Sequence, residues 1–160
     1  MTFKSEHSEA EPSGRVFNED GKLIWESQGE RVGEIVMSDV RLIGEYTTGE
    51  GPVIDDWFMV FYMSKDDCKQ ISLYVKGREE MLQLLSECMG SVVAPRLVGS
   101  TSWETTLLWP PEVAGQAMWN VENLPPETLV EKLKAFLGMG NPARMNLTDA
   151  ALRGLAGQPR

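Results

Sequence analysis

The stretch Trp57-Phe-Met-Val-Phe-Tyr-Met63 decides the fold of this chain. Its seven consecutive apolar or aromatic residues predict a strand that is covered on both faces. After a polar turn at 64–67, Ile71, Leu73 and Val75 alternate with polar residues, as expected for a second strand. We expect the two strands to form an antiparallel hairpin at the centre of the core.

More strands are predicted on the N-terminal side of this run. Asn18-Glu-Asp-Gly21 separates two short apolar segments and contains the Asp-Gly pair typical of a tight hairpin turn. Residues 34–46 predict two strands with a break at Ser38-Asp39. In the second of these, alternation places Tyr46 on one face and Glu45 on the other.

Three helices are predicted in the second half of the chain. Residues 78–89 carry an apolar stripe at helical spacing that includes Cys88, and residues 126–137 carry a similar stripe. A shorter helix near 147–155 is expected in the C-terminal region, where Asn146 is the predicted N-cap.

The remaining segments complete an α+β pattern. Short strands are expected at 92–94 and 97–98, which Pro95 interrupts, and at 105–109 and 116–121. We therefore predict an antiparallel sheet or half-open barrel of about seven short strands packed on two helices. The order of elements also resembles that of a pleckstrin-homology-like barrel, which is a fold-level alternative and implies little about function.

The lone histidine, His7, lies in a polar segment outside the predicted core. Residues 1–14 predict a disordered leader, residues 15–138 one globular α+β domain, and residues 139–160 a tail with at most one short helix. Without imidazole in the globular part, Ser-His-Asp triads, Cys-His dyads and His-containing zinc sites are excluded from it.

Other catalytic signatures are missing from the sequence as well. It has no GxxxxGK[ST] phosphate loop, GxSxG motif or SxxK motif. Cys68 and Cys88 do not have CxxC spacing, and the sequence leaves open whether they pair. We therefore predict no catalytic residues, no cofactor and no metal site, and expect a protein that is not an enzyme.

Charge is unevenly distributed along the chain. All of the net charge of −9 lies in residues 1–67, and residues 68–160 carry equal numbers of acidic and basic side chains. An acidic surface disfavours nucleic acid and favours a basic protein partner. No stretch approaches the length of a membrane span and no signal peptide is recognisable, so we expect a cytoplasmic protein.

Two features suggest a binding site. Acidic residues and a tyrosine surround the glycine-rich segment 47–52, and two tryptophans lie in or beside polar or proline-rich sequence, where they are expected to be half exposed. The predicted partner-binding residues are Tyr46, Glu50, Asp55, Asp56, Trp103 and Trp109.

These observations favour a non-catalytic binding module for another protein. One alternative is a hydrolase that uses only the carboxylates of Glu50, Asp55 or Asp56. Another is a lipid-binding barrel module, which would require Lys69, Lys76 and Arg78 to converge into a basic pocket.

Overall fold

This computed structural model describes residues 13–48, 55–123, 128–130 and 143–157. Within these ranges it contains three antiparallel sheets and two complete helices, and residues 129–130 are also helical. The first sheet has the order β1-β2-β3. Its strands are β1 (Arg15–Glu19), β2 (Lys22–Ser27) and β3 (Glu30–Val36). Asp20 and Gly21 both have positive φ, so the predicted hairpin turn is confirmed.

The central sheet has the order β6-β5-β4-β7 and contains the predicted core strand. Its strands are β4 (Leu42–Thr47), β5 (Trp57–Ser64), β6 (Asp67–Ser72) and β7 (Glu104–Trp109). The expected hairpin of β5 with the following strand is confirmed, because β5 pairs antiparallel with β6. A 3-10 turn over Met37–Asp39 forms the predicted break before β4.

Both faces of β5 are buried, as its composition predicts. Trp57, Met59 and Phe61 pack on the first sheet and on helix α1 (Arg78–Met89). Val60 and Tyr62 lie in a second apolar cluster on the opposite face. The core therefore has two parts, one on each side of the central sheet.

A two-stranded sheet and a short helix cover this second face. They are β8 (Trp119–Asn123), β9 (Ala143–Leu147) and α2 (Asp149–Ala156). Thr148, rather than the predicted Asn146, caps α2: its Oγ1 accepts a hydrogen bond of 3.1 Å from the N–H of Ala151. Asn146 lies within β9, too far before the helix for this role.

The structure corrects several local expectations. The described residues contain nine strands rather than about seven, and residues 92–94 and 97–98 form none. Cys88 is exposed rather than packed in the core, because it borders an open cavity at the end of α1. Both cysteines are free. The helix predicted at 126–137 lies outside the described residues except for 128–130.

The end of the predicted leader belongs to the folded part. The indole N–H of Trp25 donates to the backbone oxygen of Ser13 at 2.9 Å, and the N–H of Lys76 donates to the oxygen of Gly14 at 3.0 Å. These bonds hold Ser13 and Gly14 against the first sheet and the segment after β6. His7 lies outside the described residues.

The strands in the described ranges form no closed barrel, because the three sheets have separate strand orders. Among the helices described there, none combines the length and the apolar character that crossing a membrane requires.

Candidate functional site

Alternation along β4 and β5 places aromatic rings on the sheet face that is turned away from α1. Tyr46 of β4 is directly opposite Phe58 of β5, and their rings stack with centroids 5.2 Å apart. Tyr62 follows on the same face of β5. The Tyr46 hydroxyl donates to Oε1 of Gln70 in β6 at 2.8 Å, so the aromatic row extends to the edge of the sheet.

The start of β8 brings a further ring onto this row. The rings of Trp119 and Tyr46 have centroids 5.0 Å apart, and Nε1 of Trp119 donates to the Tyr62 hydroxyl oxygen at 2.7 Å. The backbone N–H of Trp119 donates to Oγ1 of Thr105 in β7 at 3.2 Å. Trp119 is therefore held from both its side chain and its backbone.

An open cavity of about 570 Å³ lies between the β8–β9 sheet and the central sheet. We call this cavity the aromatic groove. Its apolar and aromatic lining side chains are Tyr46, Val60, Tyr62, Trp103, Trp119 and Met145. The residues that border it along β6 include Cys68 and Gln70.

The outer part of the aromatic groove is exposed. Trp103 is 43% exposed, and Met145 is 56% exposed. The structure gives no hydrogen-bond partner for the indole N–H of Trp103 within the described ranges. Oγ1 of Thr48, which also borders the groove, is buried and has no partner there either. The groove thus combines apolar faces with unpaired polar atoms.

Among the described residues that line the groove, Lys69 is the charged one. Burial raises the pKa of Tyr62 to about 12 and raises the pKa of Tyr46 above its ordinary value. Both hydroxyls are therefore protonated at neutral pH. Lys69 borders the groove, but its ammonium group donates to the backbone oxygen of Glu34 in the first sheet at 2.6 Å.

The structure separates the predicted partner-binding residues. Tyr46 and Trp103 lie together in the aromatic groove. Trp109 is only 8% exposed and packs in the core beside α1, which corrects the expectation of a half-exposed ring. Glu50 lies outside the described residues.

The two aspartates before β5 each have a separate hydrogen-bond partner. Oδ1 of Asp55 accepts from the Ser13 hydroxyl at 2.8 Å. Asp56 is 7% exposed, and its Oδ1 accepts from the Tyr74 hydroxyl at 2.6 Å. This hydrogen bond raises the pKa of Tyr74 to about 12. The two carboxylates thus fasten different segments around the start of β5.

Among the residues whose positions are described, no three His, Cys, Asp or Glu side chains group in a way that could hold a metal ion.

A buried carboxylate lies on the other face of the central sheet. Glu45 is 0% exposed, although alternation alone gave no reason to expect it inside the protein. Its Oε2 accepts from Nε1 of Trp57 at 2.8 Å, and its Oε1 accepts from the backbone N–H groups of Arg96 and Leu97. Glu45 thereby attaches the segment after α1 to the sheet. The hydrogen bonds from the Arg96 and Leu97 amides to its carboxylate replace the pairing that a strand at this position would make.

A second cavity, of about 630 Å³, lies between α1 and the segment that Glu45 holds. The Arg78 guanidinium lies 5.5 Å from the Trp57 ring centroid and donates to the backbone oxygen of Leu73 at 3.1 Å. Arg78 lines this cavity, whereas Lys69 borders the aromatic groove. Lys69, Lys76 and Arg78 therefore do not converge into the pocket that the lipid-binding alternative requires.

Sequence reasoning missed Tyr62, Gln70, Trp119 and Met145 as members of the site. Tyr62 belongs to an apolar run and reads as core, and Met145 reads as a packing residue. The alternation of Trp119 with Val121 in β8 gave a local signal for a strand. Its pairing with β9, which lies beyond residues 124–142, has no local signal.

Comparisons of this chain with models of known protein families, with curated proteins and with solved structures give no match.

Proposed function

We propose that this protein is a non-catalytic binding module that holds a segment of another protein in the aromatic groove. The observation that carries the proposal is the exposure of Trp103 and Met145 at an open cavity lined by further aromatic rings. Isolated exposed apolar residues are normal on protein surfaces, but a concave group of them is typical of binding sites.

The chemistry of the groove suits a polypeptide. Aromatic rings supply a large contact area with few rotatable bonds, so little side-chain entropy is lost when a partner binds. The unpaired N–H of Trp103 can donate to a carbonyl oxygen, and the Tyr46 and Tyr62 hydroxyls can make further hydrogen bonds at their polar ends. A peptide offers both the apolar side chains and the backbone carbonyls that these groups require.

Charge favours a basic partner. The net charge of −9 produces a field that speeds the approach of a positively charged protein. Asp67, at the start of β6, and Glu122 of β8 are exposed on elements that border the groove. Basic residues that flank the bound segment would meet these carboxylates.

Site-specific photo-crosslinking tests the proposal. A benzophenone amino acid is placed at Met145 in the groove, and separately at Val92, which is 79% exposed and lies after α1. In a lysate of the source organism, we expect one defined protein adduct from position 145 and none from position 92. The adduct should disappear in the Trp103→Ala background. Equal labelling from both positions, or no adduct at position 145, would overturn the proposal.

A further inference from the structure

Among the strands that the structure describes, none pairs with the outer edge of β6. β6 is a terminal strand of the central sheet. The N–H of Leu73 donates to the oxygen of Trp57, which identifies this as a hydrogen-bonded pair of the antiparallel ladder. Because such pairs alternate, the N–H and C=O groups of Cys68 and Gln70 point away from β5. Both residues are exposed.

A gap separates this edge from the first sheet. β3 is also a terminal strand, and a cavity of about 350 Å³ lies between β3 and β6. It is lined by residues 32–35 of β3 and residues 69–71 of β6. The backbone oxygen of Glu34 faces this gap, where it accepts the hydrogen bond from the Lys69 ammonium. In a continuous sheet, the N–H of a neighbouring strand would donate to this carbonyl oxygen. Here the Lys69 side chain donates to it instead.

The free edge adjoins the aromatic groove. Cys68 and Gln70 border the groove, and Gln70 accepts the hydrogen bond from Tyr46. In the ladder, Cys68 pairs with Tyr62, so a strand added beyond Cys68 would run alongside this aromatic row. Every second side chain of such a strand would project toward the groove.

We propose that the partner binds as an extended strand that adds to the free edge of β6 and inserts alternate apolar side chains into the aromatic groove. This inference rests on the proposed function, which assigns the groove to a partner segment. Backbone hydrogen bonds to Cys68 and Gln70 provide affinity, and the groove selects the side chains. The side chains between them lie on the side of Lys69, whose ammonium group reaches across the gap to the backbone oxygen of Glu34, and polar residues fit there.

Two other modes of peptide binding make different demands. A helix placed in the groove would show apolar residues three and four positions apart, and a polyproline segment would show a PxxP pattern. Neither mode uses the outward N–H and C=O groups of β6. The spacing of apolar residues in bound peptides therefore distinguishes the three modes.

The probe is a phage-displayed library of random 12-residue peptides, selected on the full chain. We expect selected peptides with apolar residues at every second position. Methylation of one backbone nitrogen at a time should reduce affinity at least tenfold at alternate positions and have little effect between them. Bound peptide should slow hydrogen exchange of the Cys68 and Gln70 amides, whereas the Lys69 amide is already paired with β5.

The outcomes separate strand addition from the use of the groove. Strand addition would be overturned by peptides whose apolar residues have helical or PxxP spacing, or by peptides that tolerate methylation at every nitrogen. If the binding of such peptides still requires Trp103, the groove remains supported as the binding site. Peptides that show alternating methylation effects but bind the Trp103→Ala variant equally well would support pairing with the β6 edge and overturn binding in the groove. Failure to select any binder would count against both.

Discussion

The indole N–H of Trp119 donates to the hydroxyl oxygen of Tyr62 at 2.7 Å and joins residues that are 57 positions apart. Tyr62 lies in the core strand β5, and Trp119 is the first residue of β8 in the two-stranded sheet that forms the opposite wall of the aromatic groove. This hydrogen bond fixes the position of the wall relative to the sheet. It is partly buried, so removal of the acceptor leaves the indole N–H without a partner.

We expect Tyr62→Phe to lower the free energy of unfolding by about 1–3 kcal/mol, the usual cost of an unpaired, desolvated donor. Tyr46→Phe is the matched control, because its hydroxyl bonds to the exposed side chain of Gln70, and we expect a smaller loss. Urea unfolding measures both. If both substitutions lower the unfolding free energy equally, the Tyr62–Trp119 hydrogen bond contributes no more to stability than the Tyr46–Gln70 hydrogen bond does.

The stability of the protein should fall in alkaline solution. Burial raises the pKa of Tyr62 from 10.0 to about 12, so the unfolded chain releases this proton at lower pH than the native state does. The contribution is fully present below pH 10 and is lost as the pH rises through 12. Between these values we expect Tyr62 to lower the unfolding free energy by up to about 1.4 kcal/mol per pH unit.

Absorbance of the ionised phenol provides a direct measurement. In the native protein we expect the titration of Tyr62 and Tyr74 to be displaced toward pH 12, and in concentrated urea to return to pH 10. Urea unfolding of Tyr62→Phe should show a shallower loss of stability above pH 10. A native titration at pH 10 would contradict this prediction.

Glu45→Gln should be strongly destabilising. The carboxylate accepts hydrogen bonds from the N–H groups of Trp57, Arg96 and Leu97. In glutamine, an NH₂ group replaces one of the two oxygens and would face an N–H group, so at least one of these hydrogen bonds is lost. We expect a loss of about 2–4 kcal/mol in unfolding free energy and faster hydrogen exchange at the amides of Arg96 and Leu97. Glu104→Gln, at an exposed position in β7, is the control. Unchanged exchange would show that Glu45 does not hold this segment.

Gly44→Ala tests the packing between β4 and the segment before β8. A Cβ atom at Gly44 would overlap Sδ of Met118 and lie 3.0 Å from the Thr106 oxygen. We expect a loss of about 1–3 kcal/mol in unfolding free energy. Gly33→Ala is the matched control in β3, because its Cβ would lie 3.7 Å from the nearest atom of Trp25. A loss of equal size in both variants would contradict the packing argument.

Association with the partner should weaken as salt increases. The net charge of −9 attracts a basic protein, and dissolved ions screen this attraction. Titration calorimetry with the crosslinked partner should show a lower affinity at 0.5 M than at 0.05 M NaCl, mainly through slower association. Asp67→Asn combined with Glu122→Gln should reduce the dependence of affinity on salt, because these carboxylates lie on elements that border the groove. An affinity independent of salt would show that the partner is not selected by charge.

The sequence predicted local elements where side-chain pattern and turn chemistry agree. The apolar run at 57–63, the Asp20-Gly21 turn and the helix at 78–89 follow from interactions between near neighbours in the chain. The segment at 92–94 was misassigned because a side chain, and not a neighbouring strand, pairs with it: the N–H of Val93 donates to Oγ of Ser86 at 2.9 Å. The residues that follow are held by Glu45, about fifty positions earlier, whose buried carboxylate accepts from the N–H groups of Arg96 and Leu97.

The candidate site shows the same division. Tyr46 and Trp103 were predicted from composition and context, since an aromatic residue in polar sequence is expected to be exposed. The residues that complete the groove were not predicted, because β8 and β9 pair although residues 124–142 lie between them in the sequence.

The sequence by itself determined an acidic α+β chain with a doubly covered central strand and a single histidine, His7, because composition and periodicity are local properties. Only the tertiary structure decided which residues form the groove, that Glu45 is buried, and that β6 has a free edge beside the aromatic rings. These depend on pairing between distant strands, whose register is set by how the two apolar faces of the central sheet are covered.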